Sequence, residues 1–112
     1  MAHGIEAASG FGLRHGEAVA IGMVAEARLA EQLSGAPPDT AERLLALCVR
    51  AGLPVDLPDG LAPQDVVRAA RADKKRRGGR IHCALPRELG YFEEPNWTTA
   101  VDESALLAVL EA

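Results

Sequence analysis

The sequence has few cysteines, no long apolar run and no basic excess, and each absence excludes a class of protein. Its two cysteines, Cys48 and Cys83, stand apart rather than in a C-x-x-C pair, so neither a structural zinc site nor a redox pair is indicated. No apolar run approaches the roughly 20 residues of a membrane span, and the first residues lack the charged region and apolar core of a secretory signal. The net charge of −4 gives no sign of nucleic-acid binding. We therefore expect a cytoplasmic protein without membrane or nucleic-acid partners, with both thiols reduced in apolar surroundings.

A basic cluster at residues 73–80, with the sequence DKKRRGGR, is the local exception to the acidic balance. Its cations can belong to a solvated helix end, where they interact favourably with the helix dipole. They can also contact a phosphate or a carboxylate. The residues alone leave both interpretations open.

Two histidines flank a glycine-rich turn near the start of the chain. His3 precedes His15 by twelve positions, with Gly10 and Gly12 between them, and the glycines allow the chain to reverse so that the imidazoles can converge. Imidazole binds zinc and moves protons near neutral pH. The spacing is weak evidence alone, since a zinc site needs at least three protein ligands. A shared metal site and two separate surface histidines both remain open.

Apolar spacing, capping residues and helix breakers predict a mainly α-helical bundle with a small β-hairpin or short strand pair. Pro63 suits the first position of a helix, Asp39 and Glu42 form a candidate capping box, and Glu17 has the place of a first-turn carboxylate that stabilises the helix dipole rather than acting in catalysis. Helices are predicted over residues 2–9, from the turn that contains Glu17 to about residue 33, over residues 39–51 and roughly 63–75, and from about residue 102 onward.

Two further patterns concern burial. Ile81, Cys83 and Leu85 alternate with more polar residues, which predicts a short strand that pairs with a second near residues 97–101 and leaves His82 exposed. Residues 18–25 of the second helix are apolar or small on every side, so they must be covered all round. A chain of 112 residues offers little covering surface, which predicts a missing domain or an oligomer.

Two stretches closely resemble the signature motifs of 3-dehydroquinate synthase. The first covers residues 3–23, HGIEAASGFGLRHGEAVAIGM, and the second covers residues 73–81, DKKRRGGRI, followed by LPRELG at 85–90. The resemblance spans essentially the whole chain. It implies part of a zinc- and NAD-dependent cyclase that converts 3-deoxy-arabino-heptulosonate 7-phosphate to 3-dehydroquinate and phosphate in the shikimate pathway of aromatic amino-acid biosynthesis.

The resemblance implies roles for four residues. His15 matches the last of the family's three zinc ligands. His3 matches the second histidine of a Gly-His-x-x-x-His motif, which lies in the active site without binding metal. Lys74 and Lys75 match the lysine pair that supplies a substrate-anion contact, and which of the two makes it stays open. The other two ligands, a histidine and a glutamate, fall before Met1, so one ligand of three is present.

The resemblance also implies an incomplete enzyme. The chain corresponds to a single domain over residues 1–112, the family's C-terminal helical domain, with the N-terminal NAD-binding domain absent. We therefore expect the isolated chain to be inactive and to bind neither zinc (or another divalent metal) nor NAD tightly. Its expected partners are an N-terminal NAD-binding domain or subunit, further copies of itself in a homo-oligomer, and a phosphorylated sugar acid.

One alternative remains from another class. A noncatalytic helical assembly or dimerisation module, derived from a sugar phosphate cyclase, also accounts for two missing zinc ligands and a missing NAD domain. Retention of His3, His15 and the lysine pair argues against it, because a structural role does not require those side chains. A cyclase acting on another sugar phosphate is a variant of the first interpretation.

Overall fold

One long central helix organises the fold. The computed structural model describes residues 1–10, 12–74, 79–92 and 98–111. In these ranges the elements are α1 (Ala2–Ala8), α2 (His15–Leu33), α3 (Thr40–Arg50), α4 (Pro63–Lys74), β1 (Ile81–Cys83), β2 (Pro86–Glu88), β3 (Tyr91–Phe92), β4 (Thr99–Val101) and α5 (Glu103–Glu111). Helix α2 contacts α1, α3 and α5. The predicted mainly helical architecture with a small β element is confirmed.

The apolar first half of α2 is covered from within the chain. Ala18 and Ile21 pack with Ile5 of α1 and Val66 of α4. The face on the other side of the helix packs against α3, and the following turns pack against α4, the β segment and α5. The surrounding helices of the same chain therefore cover most of this segment, and Met23 within it stays 39% exposed.

Gly22 allows α1 to approach α2 closely, as its place in an apolar helix predicted. A Cβ atom at this position would lie 3.1 Å from Cγ of Met1 and 3.2 Å from the backbone nitrogen of Ala2. Both distances are shorter than ordinary van der Waals contact. The start of α1 therefore rests on the middle of α2, and the two helices run in opposite directions.

The predicted strand pair is confirmed, and a second pair accompanies it. β1 and β4 are antiparallel, with Ile81 opposite Val101, while β2 and β3 form a further antiparallel pair that the sequence did not predict. His82 is half-buried rather than exposed. Its Nδ1 lies 3.4 Å from Oγ1 of Thr98, just before β4, and His82 borders a cavity next to α1.

The start of α3 is stabilised by a residue distant in sequence. Helix α3 begins where predicted, but Asp39 makes no side-chain capping bond, so the predicted capping box is wrong. The backbone N–H of Ala41 donates instead to Oε1 of Glu31 on α2, at 2.9 Å. The hydroxyl of Thr40 donates to the carbonyl of Pro37 at 2.7 Å. A neighbouring helix therefore satisfies an N–H group that a local carboxylate was expected to satisfy.

Both cysteines are free and buried, as predicted. Burial raises the pKa of the Cys83 thiol to about 12, and the nearby carboxylate of Glu26 adds to this effect. No helix within the described ranges has the length and apolar character needed to cross a membrane.

Candidate functional site

The first turn of α2 carries an exposed imidazole, and a carboxylate of α1 contacts its inner side. His15 is the first residue of α2, and its side chain is 76% exposed. Its Nδ1 lies 3.0 Å from Oε1 of Glu6 on α1, whose side chain is only 14% exposed. The pair therefore joins an inner carboxylate to an outer imidazole.

The turn between the two helices sets this geometry. The hydroxyl of Ser9 donates to the carbonyl of Glu6 at 2.8 Å, and the N–H of Gly12 donates to the carbonyl of Ser9 at 3.2 Å. Gly10 has a φ of +63°, a conformation that glycine adopts without the steric cost of a Cβ. The predicted reversal of the chain is confirmed, and it brings His15 to Glu6.

The contact determines which imidazole nitrogen is available. An ionised carboxylate only accepts hydrogen bonds, so in the neutral ring the proton of the pair belongs on Nδ1 of His15. The hydrogen bond made by one ring nitrogen fixes the state of the other. No residue in the described ranges bonds to Nε2. His15 therefore has a lone pair on Nε2 with which to bind a metal ion or accept a proton.

Glu17 has the structural role that its first-turn position predicted. Its Oε1 accepts the backbone N–H of Arg14 at 2.9 Å, which caps the start of α2. Glu17 thus fixes the backbone next to His15.

His3 lies on α1 at the opposite end of the helix from the turn. It is exposed and borders a small cavity between α1, α4 and β1, where His82 and Cys83 are also lining residues. No group of three His, Cys, Asp or Glu in the described ranges is placed to hold a metal ion. His3 and His15 therefore do not form a metal site with a third ligand of this part of the chain.

The lysine motif begins where α4 ends. Lys74 is the last residue of α4, and Lys75 lies outside the described residues. Ala70, one helical turn before Lys74, lines the same cavity as His3. Arg71 makes two bonds to the carboxylate of Glu103, at 2.9 and 2.8 Å, which joins the last turn of α4 to α5. The backbone of the motif thus starts near the cavity that His3 borders.

Sequence reasoning did not single out Glu6, although it lies inside the first motif. Glu6 follows His3 by three positions on α1, and such residues share a helix face. The one signal available was an acidic residue between two histidines that flank a turn.

A solved enzyme structure shares the fold over part of its chain. A crystal structure of 2-deoxy-scyllo-inosose synthase superposes with a TM-score of 0.79 at 23% identity, covering 97% of this chain and 30% of that chain. A second structure, of the same enzyme complexed with carbaglucose-6-phosphate, NAD+ and Co2+, gives a TM-score of 0.81 at 23% identity and the same coverage.

Sequence comparison gives the family of the chain. The family described as 3-dehydroquinate synthase C-terminal matches residues 1–76. The chain is 41% identical over 114 residues to the 3-dehydroquinate synthase of Xylella fastidiosa (strain 9a5c), covering 96% of this chain and 28% of the relative. It is 44% identical over 110 residues to that of Caldanaerobacter subterraneus subsp. tengcongensis, covering 97% and 30%.

The chain therefore belongs to the 3-dehydroquinate synthase family and matches its C-terminal domain. It spans less than a third of the length of the curated relatives it matches.

Proposed function

We propose that this chain is the C-terminal part of a 3-dehydroquinate synthase, which converts 3-deoxy-arabino-heptulosonate 7-phosphate to 3-dehydroquinate and phosphate. The observation that carries the proposal is an exposed His15 with an available Nε2, held by Glu6 at 3.0 Å, within a chain that matches 3-dehydroquinate synthases over 96% of its length. The same reaction on another sugar phosphate is the variant that the likeness to 2-deoxy-scyllo-inosose synthase keeps open.

A divalent metal fits His15 as one ligand of a shared site. Its Nδ1 is engaged by a carboxylate, which is the arrangement that orients metal-binding histidines in general. Zinc sites take at least three protein ligands, and the described residues offer no cluster of three. The remaining ligands are therefore assigned to an N-terminal part. A bound zinc ion would supply Lewis-acid polarisation of a substrate oxygen.

The other motif residues have roles in handling the phosphate. We assign His3 to proton movement near the leaving phosphate. Lys74 and Lys75 are assigned to neutralising its charge, with the choice between them open. This assignment is supported by the cavity that His3 and Ala70 both line, because Ala70 lies one helical turn before Lys74. His15 stands at the other end of α1, so substrate and metal would lie along that helix.

Two partners complete the proposed enzyme. An N-terminal NAD-binding domain or subunit supplies the cofactor site, which accords with relatives more than three times longer and with a neighbour structure that holds NAD+ and Co2+. A homo-oligomer stays a prediction, since most of the apolar first half of α2 is covered within the chain. The chain alone should bind neither zinc nor NAD tightly, and the complete enzyme is assigned to the cytoplasm.

The alternative is a noncatalytic helical assembly or dimerisation module. The lack of a three-ligand cluster in the described ranges favours it for the isolated chain. The pairing of Glu6 with His15 argues against it, because exposed ion pairs contribute little to stability. A module with a purely structural role would gain little from this arrangement.

A zinc titration by calorimetry separates a divided site from a self-contained one. We expect no tight binding by the folded wild-type chain, since a single imidazole is a weak zinc site. His15→Ala serves as the matched control. Tight binding that disappears in His15→Ala would contradict the divided site, because the chain would then assemble its own ligand set.

A hybrid enzyme tests the activity. The chain would replace the C-terminal domain of the Xylella fastidiosa relative, and phosphate release from the heptulosonate phosphate would be measured with NAD and zinc. We expect turnover by the hybrid, loss of turnover in its His15→Ala form, and none from the isolated chain. A hybrid that folds and binds NAD but releases no phosphate would favour the noncatalytic alternative.

A further inference from the structure

We propose that Glu6 is the positioning residue of His15: it holds the neutral imidazole in the Nδ1–H tautomer and so presents Nε2 outward at the start of α2. The inference rests on the proposed function only for the use made of Nε2. The tautomer itself follows from the contact between the two side chains.

The geometry favours Glu6 as the fixed member of the pair. Its side chain is 14% exposed, against 76% for His15. The residue before it, Ile5, is fully buried against Ala18, Ile21 and Val66, which fixes the rotation of α1 about its axis. The carboxylate therefore stays in place while the imidazole adapts to it.

The chemistry of the contact is asymmetric. A carboxylate has no proton to donate, so Oε1 of Glu6 bonds to Nδ1 only when that nitrogen carries the proton. Unconstrained imidazole prefers the proton on Nε2, which would leave Nε2 unable to bind a metal ion. Glu6 thus reverses the intrinsic preference of His15, and carboxylates behind metal-bound histidines act in this way generally.

Nitrogen-15 NMR of the histidine rings tests the tautomer directly. The spectra would be recorded on the metal-free chain at a pH where the imidazoles are neutral. We expect the Nδ1–H form to dominate at His15 in the wild type and the Nε2–H form to dominate in Glu6→Ala, whereas Glu6→Gln, whose amide oxygen can still accept from Nδ1, should lie between the two. Glu6→Gln keeps the size of the side chain, and backbone amide spectra confirm folding of both variants.

Two controls separate positioning from a general disturbance of the helix start. Glu17→Gln alters the neighbouring carboxylate, which caps Arg14 and does not touch the imidazole, so it should leave the His15 tautomer unchanged. The ring of His3 is an internal reference within each spectrum. An Nε2–H form at His15 in the wild type, or an unchanged tautomer in both Glu6 variants, overturns the proposal.

Zinc added to the same samples gives a second readout. We expect the Nε2 signal of His15 to respond weakly in the wild type, in keeping with a single ligand, and to need about tenfold more zinc in Glu6→Ala, as for other residues behind a metal ligand. If His15 ignores zinc while its tautomer still depends on Glu6, the proposed metal role of His15 fails and the positioning role of Glu6 stands. If zinc binds His15 equally well in all variants and the tautomer never changes, the metal role stands and the positioning role fails.

Discussion

The first turn of α2 and the middle of α2 each contain a hydrogen bond to a carboxylate, and the two hydrogen bonds have different roles. At the first turn, Glu6 accepts from the exposed side chain of His15. In the middle, Glu26 of α2 itself accepts the backbone N–H of Ala84, just after β1. One contact orders a side chain that faces solvent, whereas the other ties the central helix to the β segment. The same chemistry can serve a site at one end of a helix and the fold at its centre.

Burial explains why the two places differ. Around Glu26, the residues Ala25, Leu29 and Cys83 are buried, and this desolvation raises the pKa of Glu26, against smaller opposing effects of the Met1 amino group and the Ala84 N–H. On either side of His15, Arg14 and Gly16 are exposed. Stability should therefore depend on the middle of α2 and chemistry on its start.

Leu29→Ala should have the largest effect on folding. Leu29 is fully buried in the cluster that joins α2 to α4, β1 and α5, and truncating such a leucine costs about 2–5 kcal/mol in free energy of unfolding. Leu33→Ala on the same helix, where the side chain is 51% exposed, should stay within about 0.5 kcal/mol. Urea denaturation measures both. Equal losses would mean that the middle of α2 is not the centre of stability.

Glu26→Gln should change how stability depends on pH. The pKa of Glu26 in the folded protein is raised from its ordinary value of 4.5. The protonated side chain therefore stabilises the folded state fully below pH 4.5, and this stabilisation is lost as the pH rises through the raised pKa. The neutral amide has no such dependence and keeps an oxygen that can accept the Ala84 N–H. The free energy of unfolding of the wild type should therefore rise relative to that of Glu26→Gln as the pH falls from neutral towards 4.5.

The comparison between the two proteins removes the other carboxylates from the measurement. The free energies of unfolding of the two proteins should diverge across this pH range. That of the wild type should rise relative to that of the variant as the pH falls. Parallel pH profiles would mean that burial does not raise the pKa of Glu26, and the contrast between the two contacts would disappear.

Much of the fold was predictable because its signals are local. Pro63 at the start of α4 and the alternation of Ile81 and Cys83 each lie within the element that they predict. The start of α3 was not predictable in detail, since its N–H partner is Glu31 on another helix. The β2–β3 pair also escaped, because strands of three and two residues are too short to show an alternating pattern.

The sequence predicted which residues belong to the candidate site, but it did not predict how they are arranged in space. The motif resemblance located His3 and His15, but only the packing of α1 on α2 separates them and brings Glu6 to His15. A hydrogen bond between side chains nine positions apart depends on the conformation of the turn between them. Glycines allow many turn conformations, so their presence in the sequence does not predict which one forms. The roles of His3 and of the lysine motif therefore stay predictions, whereas the Glu6 contact is an observation.

The contact between Glu6 and His15 should contribute little to folding. An exposed pair of this kind contributes about 0.2–1 kcal/mol, so the coupling energy from a double-mutant cycle of Glu6→Gln and His15→Ala should lie in that range. Urea denaturation of the four proteins gives it, with folding of each checked by circular dichroism. A coupling of about 3 kcal/mol, typical of a buried charge pair, would make the pair structural and remove the distinction between the start of α2 and its middle. A small coupling together with a tautomer change in Glu6→Gln would locate the function of the pair in the imidazole that it orients, because nothing in the stability of the fold would then account for it.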